Sequence, residues 1–394
     1  MFSPLWRILK DVNLRDYIYL WNKAVSDSTN QISLAGRQNL KVIEETLRKQ
    51  WRMGQNIALC WSHNERGLLV LFVPHYFLGN YSAAAPSGDA PDGEDNETYI
   101  RRLISGSREY GREAFFAIAD RLGVSPTFIR PESPLEDSSA LREALDQLIR
   151  RYGLSYVEHR AVILFDIAGF SLYSPFEQAS QLNSLSYSMN SAYNKLLTLG
   201  VDVPFRRTTT GDGYYVWHSE VSAEANRDLF YFLLLIVADN AAARAVAQGN
   251  TVPRIRAAFH IGDHYELFQA EGVNPTVFSY IVGDVTIDLA RMLNNAKPEQ
   301  ILVGEFPSRA EQPATSEFIR ETMQSRSVLN GLRIAGLDVD RFEWAASRTA
   351  ENKLARYKIT DKHGFTHFAY NLEVELEAGS QIYPLGLKPA LKMA

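Results

Sequence analysis

The stretch Ala161-Val-Ile-Leu-Phe-Asp-Ile-Ala-Gly-Phe-Ser171 constrains this chain more than any other. Its unbroken apolar run, Ala161 to Phe165, reads as a buried strand that stops at a carboxylate, Asp166. Gly169 then marks a turn. A second piece follows, Thr210-Gly-Asp-Gly-Tyr-Tyr215, between Phe205-Arg-Arg-Thr-Thr209 and Tyr214-Tyr-Val-Trp217. It reads as a hairpin tip that presents Asp212. Two aspartates delivered by neighbouring strands of one sheet can share divalent cations, because hard cations take carboxylate oxygens. Taken singly, each also fits a structural role: Asp166 as a helix cap after a core strand, Asp212 as an ordinary tight-turn residue.

Composition narrows the partners. With 394 residues the chain is long enough for two domains. A net charge of -5 offers no basic field for nucleic acid, so an anionic ligand would need local positive charge or metal. The single cysteine, Cys60, excludes a disulfide framework and a cysteine zinc site, and suits a reducing cytoplasm. The opening Met1-Phe-Ser-Pro-Leu-Trp-Arg has neither the apolar core nor the cleavage site of a signal peptide. The apolar runs 68–73 and 229–238 fall short of the ~20 residues of a membrane span and are expected to be a buried strand and a buried helix.

Periodicity organises the rest. Residues 1–137 form an N-terminal region, with an amphipathic helix over 30–51 and strands at 57–61 and 68–73 joined by the turn Asn64-Glu-Arg-Gly67. Residues 82–97 are small, acidic and rich in Pro and Gly, and are expected to be a disordered loop. A helix is expected over 98–122, stopped by Gly123. Residues 138–154 read as a linker helix capped by Ser138 or Ser139. From 155 to 394 strands alternate with helices: a strand at 161–165, helix 176–198, the Asp212 hairpin, helix 221–248, a strand at 254–261, helix 284–294, a strand at 300–303 and a last hairpin around 362–371. The expected fold is α+β, a mixed sheet with helices over one face. His260 and His264 flank Gly262 on a strand pattern, so they read as structural rather than as a metal face.

The two aspartate elements, in this order, resemble class III nucleotidyl cyclases, the catalytic domains of adenylate and guanylate cyclases. The resemblance continues through Arg254-Ile-Arg-Ala-Ala-Phe-His-Ile-Gly262, Val282-Gly-Asp-Val-Thr-Ile-Asp-Leu-Ala-Arg-Met-Leu293, Ala296-Lys-Pro-Glu-Gln-Ile-Leu-Val303 and the hairpin Tyr357-Lys-Ile-Thr-Asp-Lys-His-Gly364 with Phe368-Ala-Tyr-Asn-Leu372. It covers roughly residues 155–375. It implies a ferredoxin-like βαββαβ domain that converts a nucleoside triphosphate to a 3′,5′-cyclic nucleotide and pyrophosphate. Asp166, Asp212 and the Ile167 carbonyl would hold two Mg²⁺ or Mn²⁺. Gly169 and Phe170 would form the phosphate turn. Arg291 would clamp the α-phosphate in the transition state, and Lys362 would contact phosphate, with Lys358 as a rival. The resemblance further implies a homodimer whose two sites are shared between protomers.

Departures from the family pattern fall at telling positions. Ile287 stands where the family keeps a transition-state asparagine; Thr286 and Asp288 are the polar neighbours. The base-recognition positions hold Thr208 and Tyr280, matching neither the adenylate nor the guanylate pair. Arg206 and Arg207 add donors suited to pyrimidine carbonyls. The chain is similar to bacterial pyrimidine cyclases that make cyclic UMP or cyclic CMP in antiphage defence, where a separate effector protein reads the product. The alternatives are an adenylate or guanylate cyclase of ordinary signalling, and a catalytically dead module that binds nucleotide.

Overall fold

The computed structural model describes residues 32–84, 94–271, 274–309, 311–324, 332–334, 337–344, 354–360, 364, 366–378 and 381–386. They divide into two units. One holds the described residues up to Tyr156 together with Leu267–Val277; the other holds Val157–Glu266 and the described residues from Phe278 onward.

In the first unit, helix α1 (Leu34–Trp51) starts where the Ser33 hydroxyl accepts from the Gly36 N–H. Strands β1 (Asn56–Asn64) and β2 (Gly67–Pro74) pair antiparallel across the expected turn, Asn64 opposite Gly67. Helix α2 (Phe77–Ala83) and helix α3 (Asn96–Ile104) take up both ends of the expected 82–97 loop. Residues 85–93, the rest of that loop, lie outside the described residues.

The single helix expected over 98–122 is two helices, α3 and α4 (Arg112–Leu122). Gly106 in the left-handed region breaks it, at φ 59. The break also seats Arg108, which is 1% exposed and donates to the Leu59 carbonyl at 2.7 Å and to Ser155 Oγ at 3.1 Å. A helical 105–111 would leave that guanidinium without its acceptors. Strand β3 (Thr127–Ile129), too short to show periodicity, pairs with β2. Helix α5 (Ser139–Arg150) is capped by Ser138. Leu141, Leu145 and Ile149 of α5 pack in one core with Ile43, Leu47, Trp61 and Leu68.

The second unit is built on β4 (Leu154–Ile167), which runs well beyond the expected 161–165. After it come α6 (Pro175–Thr198), β5 (Phe205–Thr209), β6 (Gly213–His218), α7 (Ala223–Val246), β7 (Ile255–Glu271), β8 (Asn274–Val282), α8 (Asp284–Asn295), β9 (Ile301–Gly304) and α9 (Thr315–Gln324). Helix α6 begins with a reciprocal cap in which Ser174 and Glu177 satisfy each other's backbone N–H groups. The sequence anticipated neither β8 nor the full reach of β7.

The main sheet runs β12-β13-β9-β7-β4-β6-β5, where β12 is Ala355–Thr360 and β13 is Thr366–Leu372; β8 pairs with β7. Its β7-β4-β6-β5 section, with α6 and α7 as the connections, has the 4-1-3-2 order of a βαββαβ ferredoxin-like unit. Strands β10 (Arg333–Ile334), β11 (Leu337–Trp344), β14 (Val374–Ala378) and β15 (Gln381–Leu385) form a separate four-stranded sheet.

Helices cover both faces of the main sheet, not one. Ile163 and Phe165 of β4 pack with α6 and α7, while Val162 and Leu164 pack with Val285, Leu289 and Met292 of α8. The reason is written in the run itself: with no polar residue from Ala161 to Phe165, both faces of that strand need cover. Helix α7 is long and apolar enough to cross a membrane, but Leu229 to Ala238 are all buried in the protein core.

Candidate carboxylate site and arginine cluster

Asp166 and Asp212 meet at one end of the sheet. Asp166 pairs with Gly213 across β4 and β6, and the Ile167 N–H donates to the Asp212 carbonyl at 2.9 Å. The strands approach so closely that a Cβ on residue 213 would lie 1.9 Å from the Phe165 carbonyl oxygen, so only glycine fits. Gly211, on the other side of Asp212, takes a positive φ of 101. The Gly-Asp-Gly sequence is thus a geometric requirement for setting the two carboxylates side by side.

A residue outside the expected set completes this site. Arg256 of β7 aims Nε at Asp166 Oδ2 over 2.8 Å, and its Nη2 donates to the same oxygen. Nη1 donates to the Ala296 carbonyl at the end of α8, at 3.2 Å. Burial raises the Asp166 carboxyl above its usual range; Arg256 pulls it down, and the adjacent Asp212 charge adds to the rise. The one sequence signal for Arg256 was its place in a strand, two residues before the buried Ala258.

The turn after Asp166 forms as expected. Gly169 has φ 71, and a 3-10 turn over Phe170–Leu172 follows. The N–H groups of Ile167 and Ala168 are occupied by the Asp212 and Arg254 carbonyls.

Around Thr208 and Tyr280, the positions expected to recognise the base, neighbouring side chains have partners within the protein. Thr208 lies on β5 opposite Tyr215, and Tyr280 is half-buried on β8. Beside Tyr280, Ser279 donates to Glu266 Oε1 at 2.9 Å. Arg206 pairs with that same oxygen, and Arg160 donates to Glu266 Oε2 at 2.8 Å. Arg207 donates to Ser186 Oγ at 3.0 Å and lies over the Tyr214 ring. Arg206 and Arg207, the donors that the sequence offered to a pyrimidine base, each direct Nη1 to a partner within the protein, Glu266 and Ser186. Burial alone would raise the Glu266 carboxyl, but Arg160 and Arg206 outweigh it and bring it down to about 2.

Arg291 belongs to a different cluster. Its Nη1 lies 3.0 Å from His367 Nε2 and 3.6 Å from Asp288 Oδ1. Asp288 Oδ1 is 3.1 Å from His367 Nδ1, and Oδ2 is 3.7 Å from His260 Nε2. His260, Asp288 and His367 line a cavity of about 220 Å³ with Glu305 and Phe368. Ile287, at the asparagine position, is exposed. Lys362 and His363 lie outside the described residues; Lys358 is exposed on β12. His260 and His264 sit on β7, 8% and 1% exposed, as structural histidines. Among the described residues no group of three or more His, Cys, Asp or Glu is placed to hold a metal ion.

No family model matches the chain, and no curated protein matches it. Solved structures of cyclase domains are similar in outline. The catalytic core of a rhodopsin-guanylyl cyclase with converted specificity, bound to ATPalphaS, is 15% identical, with 56% of this chain and 97% of that one covered at a TM-score of 0.34. The guanylate cyclase domain of RhGC from Catenaria anguillulae, bound to GTP, is 15% identical over 55% and 97%, at 0.35. The adenylyl cyclase CyaB from P. aeruginosa is 12% identical over 56% and 95%, at 0.33. At this identity and overlap, function has to be read from the side chains.

Proposed function

We propose that this chain is a metal-dependent nucleotidyl cyclase, converting a nucleoside triphosphate to a 3′,5′-cyclic nucleotide and pyrophosphate. The observation that carries the reading is the juxtaposition of Asp166 and Asp212 at one sheet end. Their donor set suits a hard divalent cation: two adjacent carboxylates, one of them with its carboxyl raised by burial and by the other's charge. Asp166, Asp212 and the Ile167 carbonyl would hold Mg²⁺ or Mn²⁺. Bound there, the ions would acidify the ribose 3′-hydroxyl and neutralise the triphosphate.

The chain's own residues do the remainder. Arg256 holds Asp166 in place from the neighbouring strand. Gly169 and Phe170 shape the turn beside the phosphates. The 3′-oxygen attacks the α-phosphorus as the bond to pyrophosphate breaks, and Arg291 meets the charge that grows on the α-phosphate. Arg291 and the carboxylate pair stand in different clusters, each with its own partners, which supports a site completed by a second copy of the chain. A C2 homodimer with two shared sites follows from that.

Base selection is the finer part of the proposal. Thr208 and Tyr280 form neither purine-selecting pair, and Tyr280 leaves less room than a small residue would. UTP or CTP is the favoured substrate, and the resemblance extends this to antiphage signalling through a separate effector protein. Purified protein with Mn²⁺ and, separately, ATP, GTP, CTP and UTP tests the whole reading, with products identified by mass. A cyclic pyrimidine supports it. A cyclic purine keeps the reaction and removes the base assignment, and no product from any of the four sinks the enzyme.

A further inference from the structure

The geometry points to Asp288 and His367 as positioning residues that hold the Arg291 guanidinium through a single tautomer of the His367 ring. This rests on the cyclase reading, in which Arg291 meets the α-phosphate. Arginine keeps its protons and has no lone pair to offer, so Arg291 Nη1 must donate across the 3.0 Å to His367 Nε2. Nε2 therefore carries the lone pair. The proton sits on Nδ1, which faces Asp288 Oδ1 at 3.1 Å. His367 thus accepts from Arg291 on one side and presents Nδ1–H to Asp288 on the other.

The supporting elements explain why the chain holds together. Asp288 and Arg291 are three residues apart on α8 and share one face. His367 comes from β13, opposite Ile359 of β12, so it reaches the pair from a strand rather than from the same helix. Asp288 also faces His260, which is 8% exposed, through its other oxygen at 3.7 Å. Asp288 follows Ile287 directly, where a lone carboxylate would repel a phosphate. Both Asp288 oxygens face side-chain nitrogens within the cluster, so the carboxylate orients an arginine instead of repelling phosphate. A long guanidinium side chain loses much rotamer freedom when it is fixed, and an anchor made before substrate arrives removes that cost from the reaction.

Two readouts test the idea on the full chain. With ¹⁵N-labelled histidine, long-range ¹H–¹⁵N correlation reads the tautomer of each ring, and His367→Gln identifies the signal by its loss. The Nδ1–H form is expected; an Nε2–H or doubly protonated His367 overturns the proposal whether or not the protein is active. The second readout is turnover of the nucleoside triphosphate that the wild type uses best. His367→Ala should lower kcat about 10- to 100-fold through a misplaced guanidinium, with KM nearly unchanged. His367→Gln, which can still accept from Arg291 and donate to Asp288, should recover most of that loss. Wild-type kcat in His367→Ala, or no recovery with a folded His367→Gln, overturns this inference alone. A wild type that turns over none of the four nucleotides overturns the cyclase reading, and the positioning role falls with it.

Discussion

Two carboxylates of the second unit, Glu266 and Asp166, each face arginine, yet their environments drive them in opposite directions. Glu266 is nearly buried and takes bonds from Arg160, Arg206 and Ser279, and its carboxyl is held down to about 2. Asp166 is half-buried, takes Arg256 on one oxygen only, and has a second aspartate beside it; burial and that neighbour keep its carboxyl raised. The difference separates a finished ion pair from an unfinished one. Glu266 has as much positive charge as it can use and serves the fold. Asp166 with Asp212 carries more negative charge than Arg256 compensates, which is the condition of a site that takes up a cation.

The contrast breaks first at the level of activity. Asp166→Ala and Asp212→Ala should each lower turnover by a factor of about 1,000 or more with the fold retained, since metal and phosphate positioning supply most of such catalysis. Full activity in either variant, measured beside an unchanged circular dichroism spectrum, removes the metal assignment. Mn²⁺ should raise the melting temperature of the wild type by an amount that grows with the ratio of free ion to Kd, and the same variants should lose that rise.

Glu266→Gln should act on stability instead. It leaves Arg160 and Arg206 facing a neutral amide, and breaking a buried pair in this way costs about 3–5 kcal/mol. Urea denaturation reads the loss, and a variant as stable as the wild type would show that Glu266 is not the anchor described here.

Acid titration sharpens the comparison through sign. Burial is the main cause that depresses His264, to about 4 from an ordinary 6.5, so its contribution is complete above 6.5 and is lost as pH falls through 4. Glu266, lowered from 4.5 to about 2, contributes above 4.5 and is lost as pH falls toward 2. Asp166 runs the other way: its raised carboxyl favours the fold below 3.8, and that contribution is lost as pH rises through its folded value. His264 and Glu266 should therefore each lower stability on acidification, His264 in the higher pH range. Glu266→Gln should shrink the loss below 4.5, by about 3 kcal/mol at 1.36 kcal/mol per pKa unit, and leave the loss above it.

The smallest expected effect concerns the base. Thr208→Lys with Tyr280→Asp should move substrate preference toward ATP by a few-fold, read from competing nucleotides in one mixture. An unchanged preference would place base recognition at other residues.

Much of this was legible because short-range physics controls it. The 161–165 run announced a strand covered on both faces, although the expectation of helices on one side only did not follow that through. Ser138 caps α5 as its place before the apolar face implied, and Asn64 to Gly67 closes its hairpin locally. The Gly-Asp-Gly run marked the hairpin tip that carries Asp212. Failures came where distant atoms decide: the break between α3 and α4 serves a buried arginine whose acceptors lie in β1 and at the start of β4, and three-residue β3 is defined by its pairing with β2.

The sequence by itself determined the strand that ends at Asp166, the turn that presents Asp212 and the helix that carries Arg291, since each depends on residues a few positions apart. Only the tertiary structure decided that Arg256 would hold Asp166, that Arg206 and Arg207 would meet Glu266 and Ser186, and that His367 would reach Arg291. Those partners are separated by between 21 and 90 residues along the chain. An ionic or hydrogen-bonded contact acts over a few ångströms, so sheet order and helix packing, which no local pattern encodes, choose who meets whom.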